Sequence, residues 1–415
     1  MSLSSITLTA AVRQNLLSLQ GTADLLATTQ GRLATGKKVN SALDNPTNFF
    51  TAAGLDARAS DISNLLDSIG NGVQVLQAAN TGITSLSKLV DTAKSIANQV
   101  LQQPSGYSSK ATFTGNAPAT GAAGTATDLV NIGSGTANAL KGQSLVFKTA
   151  SGTTTLTVTD VAGANNVNTI TGLNTALSAA GVQLTASFNT NGSLTFTSAN
   201  DAASQTITNT GTYAAPPVTS STSVDISGGA AFTAGTIVAA VADPVVQATR
   251  SSLVAQYNQI ITQITTTAQD ASFNGINLLN GDSLKLVFDE TGKSTVTIAG
   301  VTFNPNGLGL HSLTAGSDFI DNVATNAVLT NLNNASTTLR SQASAFGGNL
   351  SIVQIRQDFN KNLINVLQTG SSNLTLADSN EEAANSQALS TRQSIATSAL
   401  SLANTSQQAV LQLLR

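Results

Sequence analysis

The chain has 415 residues, of which 41% are hydrophobic and only 9% charged, whereas an ordinary globular protein carries about 25% charged residues. The net charge of -3 leaves no basic face, which argues against nucleic acid as the main partner. The absence of cysteine excludes disulfides and thiolate metal sites. A surface with so few charges can meet another surface with little desolvation of charge.

The first predicted element is a helix near the N-terminus. Its apolar positions are separated by alternating steps of four and three residues, which is the period of a coiled coil. The stripe consists of Val12, Leu16, Leu19, Ala23, Leu26, Gln30 and Leu33, with Gln30 as its polar interruption. We therefore expect this helix to pack against a second helix along one face.

A second and longer helix is predicted to begin at Asn45-Pro46, because Asn45 suits the N-cap and Pro46 suits the first turn. Gly70, Gly72 and Gly82 lie inside this helix, where we expect them to permit close packing or a small bend. Its apolar stripe consists of Leu55, Ala59, Ile62, Leu66, Ile69, Val73, Leu76, Leu86, Val90, Ala93, Ala97 and Val100.

The middle of the chain, from about 104 to 242, changes to a composition of Gly, Thr, Ser, Ala and Asn. Short runs rich in β-branched and aromatic residues indicate strands, and Asn and Gly between two of them indicate a hairpin turn. The predicted strands are 144–149, 153–159, 183–188 and 193–197, with the turn at 189–192 and one helix at 170–180.

Helix is predicted again from Asp243-Pro244 onward. A hairpin follows over 283–298, and then a long helix over 318–368. We expect a break at Gly370-Ser371-Ser372 and a last helix over 374–414. The chain is therefore mainly α with a β-rich insertion.

The last helix carries two apolar stripes. One contains Leu389, Ala396, Ala399, Ala403, Val410 and Leu413, and the other contains Ile395, Leu402 and Ala409. The long helix before it repeats the pattern, with Ile352, Phe359 and Val366 off its main stripe. A helix that is apolar on two sides needs neighbours on two sides. An ordinary multi-helix bundle would satisfy this pattern, but the low charge at both chain ends favours assembly between subunits.

Catalytic patterns are scarce. The segment 31–38, GRLATGKK, resembles a phosphate-binding loop, but Lys38 stands where a magnesium-binding hydroxyl is needed, and a helix precedes it instead of a strand. His311 is the single histidine, and we interpret it as a loop residue. Asp378, Glu381 and Glu382 suit the start of a helix. We therefore predict a protein that is not an enzyme and binds no cofactor or metal.

The N-terminal segment lacks the basic start, the unbroken apolar stretch and the cleavage site of a secretory signal. No run of about 18 apolar residues occurs, so we expect no insertion into a membrane. Export, if it occurs, would use a route without a cleaved signal.

Four segments resemble bacterial flagellins, in the order that the family has them. They are RLATGKKVNSALDNP at 32–46, SFNGINLLNG at 272–281, RSQASAFGGNLSIVQIRQDF at 340–359 and the terminal helix at 377–415, which closes with VLQLLR. Phe346-Gly347-Gly348 and the segment 378–384 resemble the alphaproteobacterial type. The resemblance covers about 1–104 and 243–415.

This resemblance implies a subunit of the flagellar filament, a helical tube of identical copies that serves swimming. Residues 1–33 and 374–415 would pair as antiparallel coiled-coil helices in the inner core. Residues 34–104 and 243–373 would form a helical-bundle wall domain with the hairpin 283–298. Residues 105–242 would form a variable, mostly-β outer domain. The implied location is extracellular, after secretion through the flagellar type III apparatus.

The implied partners are identical subunits, flagellar junction and cap proteins, an export chaperone and the export apparatus. With the apolar stripes, the resemblance leads to a predicted subunit interface and a turn motif. The interface consists of Leu16, Leu19, Leu26, Leu33, Leu389, Ile395, Leu402, Val410 and Leu413, and the turn consists of Phe273, Asn274 and Gly275.

Two alternatives stay open. A junction protein between hook and filament shares the paired terminal helices, and would be a trace component of sheared appendages, where a filament subunit would dominate. A secreted adhesin-type binding protein would use 105–242 as its ligand domain, and the purified segment would then bind a glycan or a host surface.

Overall fold

The computed structural model describes residues 10–117, 128–131, 139–163, 165–210, 223–229, 232–233 and 235–413. Its helices are α1 (Ala10–Thr35), α2 (Pro46–Leu101), α3 (Ile170–Ala179), α4 (Pro244–Asp270), α5 (Asn322–Thr375) and α6 (Ser379–Leu413). The chain divides into two compact units, and α2 and α5 contribute to both. Long helices at both ends with a central β-rich insertion confirm the predicted fold class.

The strands are short and lie mostly in the middle of the chain. They are β1 (Tyr107–Ser109), β2 (Thr112–Thr114), β3 (Ser144–Thr149), β4 (Gly152–Val158), β5 (Asn166–Val167), β6 (Leu184–Phe188), β7 (Leu194–Ser198), β8 (Thr206–Thr208), β9 (Ser223–Ser227), β10 (Thr236–Val238), β11 (Val241–Ala242), β12 (Leu284–Val287) and β13 (Thr295–Ile298).

The first unit comprises Met1–Gln74, Leu284–Ile298 and Asn349–Arg415. In it α1 packs along α6, and α2 packs on α5 through Ala59, Ile62 and Leu367. The antiparallel hairpin β12–β13 lies against α2, where a Cβ on Gly72 would collide with the side chain of Leu286. The glycine thus permits the close packing that the sequence predicted.

The second unit comprises Val75–Ser283 and Ala299–Gly348. Its helical part buries the apolar stripes of α2, α4 and α5, and a Cβ on Gly82 would come 2.6 Å from Leu279 Cδ1. Asp243 caps α4 by accepting hydrogen bonds from the N–H groups of Val245 and Val246, and Pro244 opens the helix. The predicted helix start is confirmed.

The β-rich insertion of this unit contains two larger sheets, ordered β10-β2-β7-β6 and β5-β4-β3-β9-β8. Both sheets and α3 contribute to one hydrophobic core, in which Phe147, Phe196 and Phe232 are fully buried. β1 pairs antiparallel with β11, so the two ends of the insertion lie side by side. The insertion can therefore emerge from the helical part of the unit without disturbing it.

The buried Arg250 of α4 holds the chain close to the point where the insertion begins. Its guanidinium donates to the carbonyl oxygens of Phe319 at 2.9 Å and Pro104 at 2.8 Å. Burial lowers the pKa of Arg250, and the nearby Asp321 opposes that shift. A guanidinium keeps its charge even so, and the carbonyl contacts compensate its burial.

The predicted α3 and the four predicted strands are confirmed within one residue at each end, whereas the remaining strands of the insertion were not predicted. The break expected at Gly370-Ser371-Ser372 is wrong, because α5 continues through these residues to Thr375. Ser371 is buried and its carbonyl accepts from the Thr375 hydroxyl at 3.0 Å, while Gly370 lies close to Leu55. Packing outweighs the weak helix propensity of this triplet.

The interruption between α5 and α6 comes later, and Asp378 defines it. Its Oδ1 accepts from the N–H groups of Asn380 at 2.9 Å and Glu381 at 3.3 Å, so it caps α6. Asp321 caps α5 in the same way, accepting from Ala324 N at 3.0 Å. The helix therefore begins at Asn322, four residues after its predicted start.

Candidate subunit interface

The contact between α1 and α6 follows a coiled-coil period on both helices. On α6 the covered positions recur in steps of four and three, and they are Glu382, Ser386, Leu389, Gln393, Ala396, Leu400 and Ala403. On α1 the covered face includes Val12, Asn15, Leu19, Thr22, Leu26 and Thr29. Several of these residues are polar, so this seam buries little apolar surface.

The observed seam differs in part from the predicted stripe of α1. Val12, Leu19 and Leu26 belong to both, but Leu16 and Gln30 are exposed, and the alternate positions are taken by Asn15 and Thr29. The sequence pattern selected the most apolar stripe, and the helix instead turns part of that stripe outward. The reason is that several neighbouring leucines leave more apolar surface than one partner can cover.

A polar contact joins the end of α1 to the start of α6. Arg32 and Glu382 form an ion pair at 3.4 Å, and Glu382 is only 8% exposed. Main-chain hydrogen bonds continue it, from Lys38 N to Thr375 O at 2.7 Å and from Ala377 N to Gly36 O at 3.0 Å. Because the last turn of α1 meets the first turn of α6, the two helices run antiparallel.

The loop between α1 and α2 is held by one carboxylate. Asp44 Oδ2 accepts from Ser41 N at 2.8 Å, Asn40 N at 3.0 Å and the Ser41 hydroxyl at 3.1 Å. The hydrogen bond from the Ser41 main chain, followed by that from Asn40, lowers the pKa of Asp44. Asn45 then caps α2 by accepting from Asn48 N at 3.0 Å, as the sequence predicted.

The outward faces of α1 and α6 each carry exposed large apolar side chains among polar residues. On α6 the second predicted stripe is exposed, with Ile395 at 64% and Leu402 at 72%, and Ala388 and Ala409 continue it at seven-residue spacing. On α1 the exposed leucines are Leu16, Leu17, Leu25 and Leu33. Large apolar side chains in such a row are typical of a surface that another helix covers.

The structure separates the predicted interface residues into three groups. Leu19, Leu26 and Leu389 lie half-buried in the α1–α6 seam, whereas Leu16, Leu33, Ile395 and Leu402 are exposed. Val410 and Leu413 belong to α6, but their side chains lie outside the described residues. For all nine predicted residues, the role in a subunit interface stays a prediction.

Comparison with protein-family models identifies the family of the chain. Residues 6–113 match the model of the bacterial flagellin N-terminal helical region, and residues 329–414 match that of the bacterial flagellin C-terminal helical region. The chain belongs to the bacterial flagellin family. The matches include all of α1, α2 and α6 and most of α5, and they confirm the resemblance seen in the sequence.

Similar flagellins occur in Caulobacter vibrioides. Flagellin FljO and Flagellin FljM are each 31% identical to this chain over 166 residues, which is 40% of the chain and 60% of the relative. Flagellin FljJ is 29% identical over 182 residues, which is 43% of the chain and 66% of the relative. The aligned part thus spans less than two thirds of these relatives.

The flagellin C-terminal region contributes a second exposed row, on α5. Ile352, Ile355, Phe359 and Val366 are exposed at spacings of three, four and seven residues. Asn360 lies on the opposite, buried side and donates to Phe288 O at 3.0 Å. The sequence analysis found three of these four residues and missed Ile355, although its spacing from Ile352 and Phe359 would have indicated it.

The predicted turn motif of this flagellin is a tight hairpin turn. Phe273 N and Ile276 O lie 3.0 Å apart, and so do Ile276 N and Phe273 O. Asn274 and Gly275 between them have φ values of 50° and 79°. Positive φ at both central residues favours Asn-Gly, which explains the sequence FNG.

The residues that the sequence analysis rejected as catalytic lie in ordinary positions. The segment 31–38 contains the last turn of α1, where unpaired carbonyl groups point outward and disfavour an anion. His311 is exposed in a loop beside a cleft of about 460 Å³. In the described ranges no three His, Asp or Glu side chains form a metal-binding group. Nor is any helix described here long and apolar enough to cross a membrane.

Proposed function

We propose that this flagellin is the structural subunit of a flagellar filament, a non-enzymatic protein that polymerises with identical copies outside the cell. The observation that carries the proposal is the exposed apolar rows of α5 and α6. Ile395 and Leu402 on α6, and Ile355 and Phe359 on α5, are exposed within the chain although they lie at coiled-coil spacing. Neighbouring copies would cover them.

The antiparallel α1–α6 pair would form the inner core of the tube, from 1–33 and 374–415. Residues 34–104 and 243–373 would form its wall, and 105–242 its outer domain. The polar residues in the seam, such as Asn15 and Gln393, support this layout, because a pair held by so little apolar contact needs neighbours to stabilise it. Export through the flagellar type III apparatus with a chaperone, and contacts with junction and cap proteins, belong to the same proposal.

The test is a double substitution, Ile395→Asp with Leu402→Asp. Burying each carboxylate in an apolar contact costs several kcal/mol, so a loss of roughly 3 kcal/mol in subunit association raises the concentration needed for assembly at least about 100-fold. Electron microscopy and sedimentation measure the polymer. Val161→Asp is the matched control, because Val161 is 74% exposed in the insertion, and this variant should polymerise normally.

Circular dichroism of the unassembled variants separates a loss of assembly from a loss of folding. If the double variant forms filaments at the same concentration as the unmodified chain, these faces are not subunit contacts and the proposal fails.

A further inference from the structure

The β-rich insertion contacts the helical part of its unit at a second place, away from its two ends. The turn that follows β7 lies against the first turn of α5. Val323 N donates to Asp201 O at 3.0 Å, and Asn322 Nδ2 donates to Asp201 Oδ1 at 2.8 Å. These contacts join segments that are distant in sequence. We name residues 201–204 and 321–323 together the latch.

The latch also contains a hydrogen bond from the Ser204 hydroxyl to Asp321 Oδ2. Asp321 is only 2% exposed, and its other oxygen caps α5 by accepting from Ala324 N. A buried carboxylate is costly unless its oxygens accept hydrogen bonds. The N–H groups in the first turn of a helix also lack partners within the helix, and Asp201 O supplies one for Val323. The insertion therefore completes the start of a helix that lies outside it.

The latch is bordered by two cavities. Ser204 lines both of them, one of about 170 Å³ that Ile237 also lines and one of about 460 Å³ beside Val328. Atoms that border a cavity lose van der Waals contacts on that side. Packing therefore contributes little to the attachment of this turn to α5, and the hydrogen bonds of the latch contribute most of it.

The ends of the insertion form a narrow connection, which we name the β1–β11 ribbon. Its strands pair through Tyr107–Ala242 and Ser109–Val241, with an irregularity between the two pairs. A two-stranded connection of this length is marginally stable by itself and twists easily. An insertion held by this ribbon alone would therefore change its angle to α4. The latch adds a second point of attachment, on a different helix.

We propose that the latch fixes the orientation of the insertion on the helical part of the unit. The insertion then stands as a rigid extension of α4 and α5 and does not swing on the β1–β11 ribbon. This inference concerns contacts within one chain, so it is independent of the proposed polymer. In a polymer, a rigid insertion would present its surface at the same angle on every copy.

The natural absence of cysteine permits a test with two spin labels. Thr185 on β6 and Ser252 on α4 are exposed, and Thr185→Cys with Ser252→Cys gives the labelled background. Pulsed electron double resonance on the unassembled full chain measures the distribution of distances between the labels. Ser204→Ala removes the latch hydroxyl, and Asp201→Ala removes the contact with Asn322.

We expect the two latch substitutions combined to broaden the distance distribution about two-fold, as a hinge becomes free to move. Exchange of the Val323 N–H should accelerate, because its acceptor is Asp201 O. Ser151→Ala is the matched control, since that hydroxyl contacts Thr149 within the insertion, and it should leave the distribution unchanged.

Hydrogen exchange in β6 and β7 shows whether the insertion of each variant is folded. Asp201→Ala alone removes only an exposed side-chain contact, so it should fold even if the combined variant does not, and it should broaden the distribution to a smaller extent. An unchanged width in the folded variants, with unchanged exchange at Val323, would overturn the proposal. The filament proposal would stand in that case.

Discussion

The β-rich insertion and the α1–α6 pair bury their apolar residues to very different extents. In the insertion Phe147, Phe196 and Phe232 are almost completely buried within one core. In the helix pair the leucines of the seam, such as Leu19 and Leu389, are only half-buried. One chain therefore contains a region that completes its own core and a region that leaves apolar surface uncovered.

The difference follows from geometry. Two sheets and a helix can enclose a core from several directions, whereas two helices cover only one stripe on each other. The seam of the helix pair also includes Thr29 and Gln393, which contribute little hydrophobic free energy. We infer that the insertion is stable through its own contacts, and that the helix pair gains most of its stability from neighbouring copies.

The prediction with the largest expected effect tests whether the insertion and the α1–α6 pair are stabilised separately. Phe196→Ala removes a ring that contacts Phe147 and Phe232, with centroids at 5.3 and 5.8 Å. Truncation of a buried phenylalanine costs about 3–5 kcal/mol. Hydrogen exchange in β6 and β7 should accelerate accordingly, while the variant still polymerises through its helices. If Phe196→Ala abolished the polymer and left hydrogen exchange in β6 and β7 unchanged, the insertion would not be the region that is stable through its own contacts.

A second substitution sharpens the comparison within the first unit. Gly72→Ala places a Cβ against Leu286, so we expect overpacking to lower the free energy of unfolding by about 1–3 kcal/mol. Gly54 lies in the same helix with no atom near its missing Cβ, and Gly54→Ala should stabilise by up to about 1 kcal/mol.

Thermal unfolding of the unassembled protein measures both glycine variants. We expect Gly72→Ala to lower the free energy of unfolding and Gly54→Ala to raise it. If both glycines respond alike, helix propensity alone decides their effect, and the packing of the hairpin on α2 contributes nothing.

Much of the helical architecture could be predicted from sequence, because helices depend on local signals. The caps Asn45 and Asp243 and the apolar stripe of α2 are readable without the fold. The end of α5 was missed, because the helix through Gly370 depends on packing against Leu55, a residue distant in sequence. Helix propensity cannot include such a contact.

The insertion and the candidate interface were harder to predict. Strands such as β2 and β10 have three residues each and exist through pairing between distant segments, so their periodicity is too short to detect. On α1 the apolar pattern selected Leu16 as a seam residue, whereas the structure places Asn15 in the seam and leaves Leu16 exposed. A stripe reports how apolar a face is, and only the structure reports which face the partner helix covers.

The smallest expected effect concerns the loop that joins the helix pair to α2. The pKa of Asp44 is lowered, so its contribution to stability is present above the ordinary carboxyl pKa of about 3.9 and is lost as the pH falls through the lowered folded value. Hydrogen exchange at Ser41, corrected for its intrinsic rate, should show protection at neutral pH that declines only in strong acid. Asp44→Asn cannot titrate, so its Ser41 protection should not change across this range. An acid-induced decline of the same size in Asp44→Asn would assign the effect to another carboxyl and would show that Asp44 does not control this loop.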